Sequence, residues 1–171
     1  MKKKKDQQKR TYLILGVVGM AVVVFGGGWL YGKKVKEAKM NEVQTEMVED
    51  KEAERAVLGS WVWVETEMGD ETIIRPNSAG DFWLNLNEDE PKVVIMTDCN
   101  NASGTFTVWS NGEISFGAMM STQMFCEGAK EDVFLGQIGL ARTYLLDENG
   151  LHLAMEADSG IMHFVRAEEV R

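Results

Sequence analysis

A chain of 171 residues that is 44% hydrophobic and 26% charged, with only two prolines, has the composition of an ordinary globular protein and room for one folded domain. The formal net charge of −9 hides an asymmetry: from Val57 onward six basic residues stand against nineteen acidic ones, a net −13, and a surface that acidic repels phosphate backbones and anionic lipid heads. Nucleic acid is thereby excluded as a partner, and two histidines without a cysteine or second histidine at ligand spacing leave no zinc motif, so no cofactor or metal is expected.

The first ten residues, "MKKKKDQQKR", form a basic tail. The uncharged run from Thr11 to Tyr31 is 21 residues long, close to the roughly 20 that a helix needs to cross the hydrocarbon core, and predicts a transmembrane helix over residues 11–32. Six lysines and arginines precede it (Lys2, Lys3, Lys4, Lys5, Lys9, Arg10) and four follow closely (Lys33, Lys34, Lys36, Lys39). That bias orients the N-terminus toward the cytoplasm and the rest of the chain outside. The alternative is a cleaved signal peptide, with weak sites after Gly26 or Gly28 in "VFGGG"; the absence of cysteine there excludes a lipoprotein anchor. Gly28 and Gly32 also make the GxxxG spacing of helix pairing, although glycine is common in such helices.

Residues 33–56 lack glycine and proline and are rich in helix formers, which predicts a charged helical stalk. Met40, Val43 and Met47 follow heptad spacing, but Asp50 and Glu54 fall on the next seam positions, so a solvated spacer fits better than a sustained coiled coil.

From residue 57 to 171 the pattern becomes short runs of period two, a mainly β domain. "SWVWVETEM" ends at Gly69-Asp70, "DFWLNLNE" lies between "NSAG" and "EDEP", and "KVVIMT" follows Pro91. "GTFTVWS" runs through Asn111-Gly112 into "EISFGAMM", a hairpin. Gly128 to Ala141 breaks the period, with Val133, Phe134, Gln137 and Leu140 at helical spacing, and is the domain's one expected helix. "RTYLLD", "LHLAME" and "GIMHFVR" then continue as strands around turns at 148–150 and 158–159. A two-residue turn at Asp158-Ser159 would pair Leu153 with Phe164 and Met155 with Met162. It collects Leu151, Leu153, Met155, Met162 and Phe164 on the core face and sets His152 and His163 diagonally on the other.

The order "GSWVWVE", "DCNNASGTF", "ISFGAMMSTQMFCEG", a short amphipathic helix and "YLLDENGLHLAMEADSGIMHFVR" resembles the META domain of the HslJ-type bacterial heat-shock proteins, over about Leu58 to Arg166. The landmarks are Trp61, the pair Cys99-Asn100 followed by Gly104, and the run from Ser121 to Cys126. Asp98 stands where the family usually has glycine, and "NEDEPKVVIMT" lacks the usual glycine-bearing turn. The resemblance implies a small antiparallel curved or barrel-like sheet with one packed helix, usually exported and often tethered to the membrane, with links to stress response and no established catalytic residues. Location in the bacterial cytoplasmic membrane, single-pass, with the domain periplasmic or extracellular, is the corresponding expectation.

In an exported domain Cys99 and Cys126, each beside turn-forming residues at a strand boundary, are candidates for one disulfide; two reduced cysteines packed in the core are the alternative. If "EISFGAMM" pairs back along the sheet, both cysteines fall at the same end. Asn100 and Asn101 are suited to capping turn backbone, and Ser121 and Thr122 to similar work on the facing loop, where Asn101 and Ser103 would meet them. A nucleophilic cysteine is disfavoured, because Asp98 and Glu127 raise rather than lower a thiol pKa.

Two functional classes follow. One is a non-catalytic, membrane-tethered binding or envelope-stress module that touches an envelope protein through loops and exposed aromatics such as Trp83 or Trp109. The other is a hydrolase, for which no GxSxG, phosphate loop or acid/base dyad appears. A curved β-fold holding a small apolar ligand is a third possibility.

Overall fold

A computed structural model describes residues 28–87 and 89–170. The basic tail and residues 11–27 of the expected transmembrane segment lie outside the described residues; among those described, no helix is long and apolar enough to cross a membrane. The chain divides into two units, Met1–Met40 and Asn41–Arg171. Helix α1, Gly28–Ala56, is continuous through the charged segment, and Met40, Val43 and Met47 on it are exposed. A helix polar on nearly every face gains little from packing and persists through propensity and side-chain pairs.

Beyond it come strands β1 (Gly59–Met68), β2 (Ile73–Ile74), β3 (Trp83–Leu86), β4 (Lys92–Met96), β5 (Asn101–Val108), β6 (Ile114–Phe116) and β7 (Met120–Ser121). Helix α2 (Glu131–Leu140) then leads into β8 (Ala141–Asp147), β9 (Gly150–Met155) and β10 (Gly160–Arg166). The spatial order is β6-β5-β4-β3-β1-β10-β9-β8, with β2 beside β1 and β7 beside β5, and every pairing is antiparallel. The two ends of this order approach each other. Glu113 bridges Thr143, the Tyr144 N–H donates to the Gly112 carbonyl at 2.7 Å, and the Tyr144 hydroxyl donates to the Trp109 carbonyl at 3.0 Å. The sheet is therefore a nearly closed barrel, which leaves little free edge for unwanted pairing. A bulge in β1 between Trp63 and Glu65 adds local twist where the wall must bend.

Alternation sends one face of each strand inward, as in β4, where Val93 and Ile95 are buried between exposed neighbours, and in β9, where buried Leu151, Leu153 and Met155 alternate with half-buried residues. The interior is filled by rings: Trp63, Phe82, Phe134 and Phe164 lie with centroids 5.0–6.2 Å apart in edge and tilted contacts. Both buried indoles find acceptors. Trp61 donates to the Val57 carbonyl at 2.8 Å, and Trp63 donates at 3.0 Å to the Thr66 hydroxyl, which donates in turn to Gln137 of α2 at 2.8 Å.

Three expectations are corrected. The buried face of α2 is Glu131, Phe134, Gln137 and Ile138, the i, i+3, i+6 and i+7 positions counted from Glu131; Val133 and Leu140 fall to the side of that face and are exposed. "EISFGAMM" is two strands, not one: Gly117–Met119 intervene, β6 pairs with Phe106–Val108, and β7 with Ala102–Ser103. In the last hairpin Leu153 pairs with Met162 and Leu151 with Phe164, two residues off the expected register. The connection is a 3-10 turn at Glu156–Asp158, with Ala157 and Asp158 at positive φ, rather than a two-residue turn. A shift by two keeps every side chain on its face, so the core set survives. It also brings His152 and His163 directly opposite each other rather than diagonal.

Candidate functional site

The segment between β4 and β5 and the segment between β7 and α2 meet at one end of the barrel. They meet there because β6 and β7 both pair back along β5, carrying the chain to the level of Asn101. A disulfide joins Cys99 to Cys126 across these segments, with Cα atoms 5.8 Å apart. Beneath it the buried Asn100 acts as a clamp. Its Oδ1 accepts the Thr122 hydroxyl at 2.7 Å and the Met124 backbone N–H at 2.9 Å, and its Nδ2 donates to the Met124 carbonyl at 3.1 Å. The amide thus reads one residue of the facing loop as a strand would.

Asn101 and Thr122 also meet, the Thr122 N–H donating to the Asn101 carbonyl at 3.1 Å and the Thr122 hydroxyl lying 3.3 Å from the Asn101 N–H. Ser103 lies opposite Met120, and Ser121 opposite Ala102. Gly104 has a steric reason: a Cβ there would sit 2.9 Å from the Ala118 carbonyl oxygen. All of Cys99, Cys126, Asn100, Asn101, Gly104, Ser121 and Thr122 therefore lie in or against this loop end.

Three participants escaped the sequence reading. Thr97, buried, accepts the Asn100 N–H at 2.9 Å, and its hydroxyl lies 2.7 Å from the Asn100 carbonyl and 3.0 Å from Glu131 Oε2. Glu131, 8% exposed, takes the Ser121 hydroxyl on Oε1 at 3.0 Å, so both its oxygens are met by hydroxyls. Asp98 accepts the Lys130 N–H at 2.8 Å just before α2, where backbone donors lack intrahelical partners. A carboxylate at this place anchors the start of the helix to the β4–β5 turn, a contact that a glycine would not make. Asp98 Oδ1 is buried without a partner. Apart from the bonds of Thr97 to Asn100 three residues on, these contacts join residues 10 to 34 positions apart, which no local pattern marks.

On top of this network the loop presents apolar side chains to water. Phe125 is 93% exposed and Met124 64%, with Met120 at 77% on β7. Beside them is a cleft of about 330 Å³ whose lining includes Cys99, Asn100, Phe125, Glu127 and Glu131. Of the tryptophans expected as contact residues, Trp83 is half-buried with its indole donating to the Gly80 carbonyl at 2.6 Å, and Trp109 is 42% exposed.

A second cluster sits on the outer face of β8, β9 and β10. His152 Nδ1 and His163 Nδ1 are 2.7 Å apart, and His152 Nε2 lies 3.0 Å from Asp147 Oδ1. Burial, and then the neighbouring His152, lower the His163 pKa from 6.5; the hydrogen bond from His152 lowers that of Asp147 from 3.8. Among the described residues, no group of three or more histidine, cysteine, aspartate and glutamate side chains is gathered to hold a metal ion.

A model of the META domain family matches residues 55–169, the whole of the barrel and both loops of the candidate site. The fold is similar to the NMR structure of a protein from Burkholderia xenovorans, with a TM-score of 0.56 and 19% identity over 67% of this chain and 86% of that one. It is also similar to the crystal structure of a DUF4847 family protein from Bacteroides vulgatus, with a TM-score of 0.51 and 15% identity over 64% of this chain and 92% of that one. At such identities the likeness is one of fold. Comparison with curated proteins gave no match.

Proposed function

This chain belongs to the META domain family, and on that premise we propose that it is a non-catalytic binding module, tethered by residues 11–32 to the bacterial cytoplasmic membrane and displayed outside it. The tether reading rests on the uncharged run and the basic tail before it; the charged helix α1 then gives the barrel reach. The observation that carries the binding role is Phe125, 93% exposed on a loop held from below by the disulfide and by three hydrogen bonds to Asn100. A ring kept in water on a rigid base is costly unless a partner covers it; burying it is worth roughly 1.5–3 kcal/mol. Pre-organisation then spares the partner the cost of ordering the loop.

Two features favour this reading over its rivals. The barrel interior is occupied by the Trp63, Phe82, Phe134 and Phe164 rings, so a small apolar ligand would have to seat on the surface rather than inside. Glu131, the buried carboxylate nearest the cleft, has both oxygens engaged in holding Thr97 and Ser121, a structural rather than a proton-transfer task.

The test is site-specific photo-crosslinking in intact cells with the probe at position 125 of the full chain. A discrete adduct that is absent with the probe at Glu113 is expected. Equal, diffuse labelling from both positions would overturn the reading. Protease added to intact spheroplasts checks the topology: it should remove the domain, and protection until lysis would place the domain inside.

A further inference from the structure

We propose that His152 and His163 form a binding site for a divalent transition-metal cation on the outer face of the sheet, away from the loop end. The two imidazoles project from directly opposed residues of β9 and β10, and their Nδ1 atoms converge to 2.7 Å. At that distance one nitrogen donates and the other accepts, so a lone pair points into the gap. Asp147 decides which one. Its Oδ1, 3.0 Å from His152 Nε2, accepts a hydrogen bond from the Nε2–H, and in that tautomer His152 Nδ1 is the acceptor facing His163. A carboxylate behind a histidine, fixing its tautomer and ring plane, is the outer-shell arrangement that metal-binding histidines use. For a cation to enter the gap, the His163 Nδ1–H bond breaks and the proton returns through solvent to His163 Nε2, so that both rings stay neutral and both Nδ1 lone pairs face the metal.

The surroundings favour positive charge. Glu65 lies directly opposite His163 on β1, Glu67 is one pair further along the same face, and Asp147 closes the other side. The counterweight is Arg75, which holds Glu65 at 2.6 Å. The His152 side chain is 17% exposed, which leaves an entry path from solvent. Two imidazole nitrogens select the borderline metals, zinc, copper and nickel, over magnesium and calcium, which demand oxygen.

Metal–nitrogen bonds of about 2.0–2.1 Å at a tetrahedral angle require the nitrogens to part to about 3.3 Å. The rings therefore open by roughly 0.6 Å, within the reach of side-chain rotation. With no third protein donor converging among the described residues, water completes the coordination and the affinity is modest.

The experiment is titration of the untagged full chain in detergent with zinc chloride, followed by calorimetry and by the imidazole nitrogen resonances. One saturable site is expected, with the Nδ1 signals of both histidines moving at one equivalent and no response to magnesium. His163→Gln should weaken binding at least tenfold, and Asp147→Asn about tenfold through the lost orientation of His152. Zinc binding undiminished in His152→Gln and His163→Gln, or Nδ1 resonances of the unaltered protein unmoved by zinc, would overturn the proposal. The second readout needs no variant to fold.

Discussion

Replacing Asn100 by alanine tests whether the loop end is built as described. The substitution removes three hydrogen bonds: two to Oδ1, from the Thr122 hydroxyl and the Met124 N–H, and one from Nδ2 to the Met124 carbonyl. At a net of about 1 kcal/mol each the upper expectation is about 3 kcal/mol. Thr122 and Met124 lie on an exposed loop, so water re-satisfies part of what they lose, and the expected loss settles at about 2 kcal/mol. The measurement is urea unfolding of residues 41–171 followed by tryptophan fluorescence, since Trp61 and Trp63 are fully buried reporters. With a slope of about 1.5 kcal/mol/M the midpoint should fall by roughly 1.3 M. Amide exchange at Met124 should accelerate well beyond that global change. Asn101→Ala is the internal control, because that side chain is exposed, and it should stay within about 0.5 kcal/mol. A loss below about 0.5 kcal/mol for Asn100→Ala, or equal losses for the two variants, would refute the clamp.

Four further outcomes are expected. Reduction, or Cys126→Ser, should cost about 3.5 kcal/mol from the loop of 27 residues while far-ultraviolet dichroism keeps its β signature; freely alkylated thiols in protein taken from its native compartment would remove the premise. Gly150→Ala should cost more than about 2 kcal/mol, because φ is +128° and the added Cβ would run into the Phe164 carbonyl oxygen. Gly136→Ala, on the open face of α2 with nothing within 4 Å, should gain up to about 1 kcal/mol, and equal effects at the two sites would contradict the backbone geometry. Stability should also fall on mild acidification. The folded His163 pKa lies below 6.5, so the unfolded chain binds the extra proton first; the contribution is complete above pH 6.5 and is lost as pH drops through the folded value. His163→Gln should flatten that part of the pH–stability curve, and an unchanged slope would show that another group is responsible.

The elements themselves were written locally. Alternation in "KVVIMT" and "LHLAME", the Asn111-Gly112 turn and the helical spacing after Gly128 are properties of a few neighbouring residues, and period-two and period-3.6 patterns report directly which face must leave water. The family, too, was legible, because its landmarks are short runs around Trp61, Cys99-Asn100 and Ser121 to Cys126. What the sequence could not convey was how the segments meet. The four-residue connection Glu156–Ser159 that shifts the last hairpin by two residues depends on positive φ at Ala157 and Asp158, a conformation in which a non-glycine residue such as alanine is uncommon, and only that shift sets the two histidines 2.7 Å apart. Glu131 reads as an ordinary acid in the first turn of a helix; its burial against Thr97 and Ser121 exists only because β7 returns along β5. The exposure of Phe125 has no mark in the sequence either: the disulfide and the Asn100 amide hold its loop outside the barrel, whose interior is already full. Hydrophobic pattern assigns faces within an element, whereas contacts between elements distant in sequence are settled by closure of the sheet and the packing of its interior.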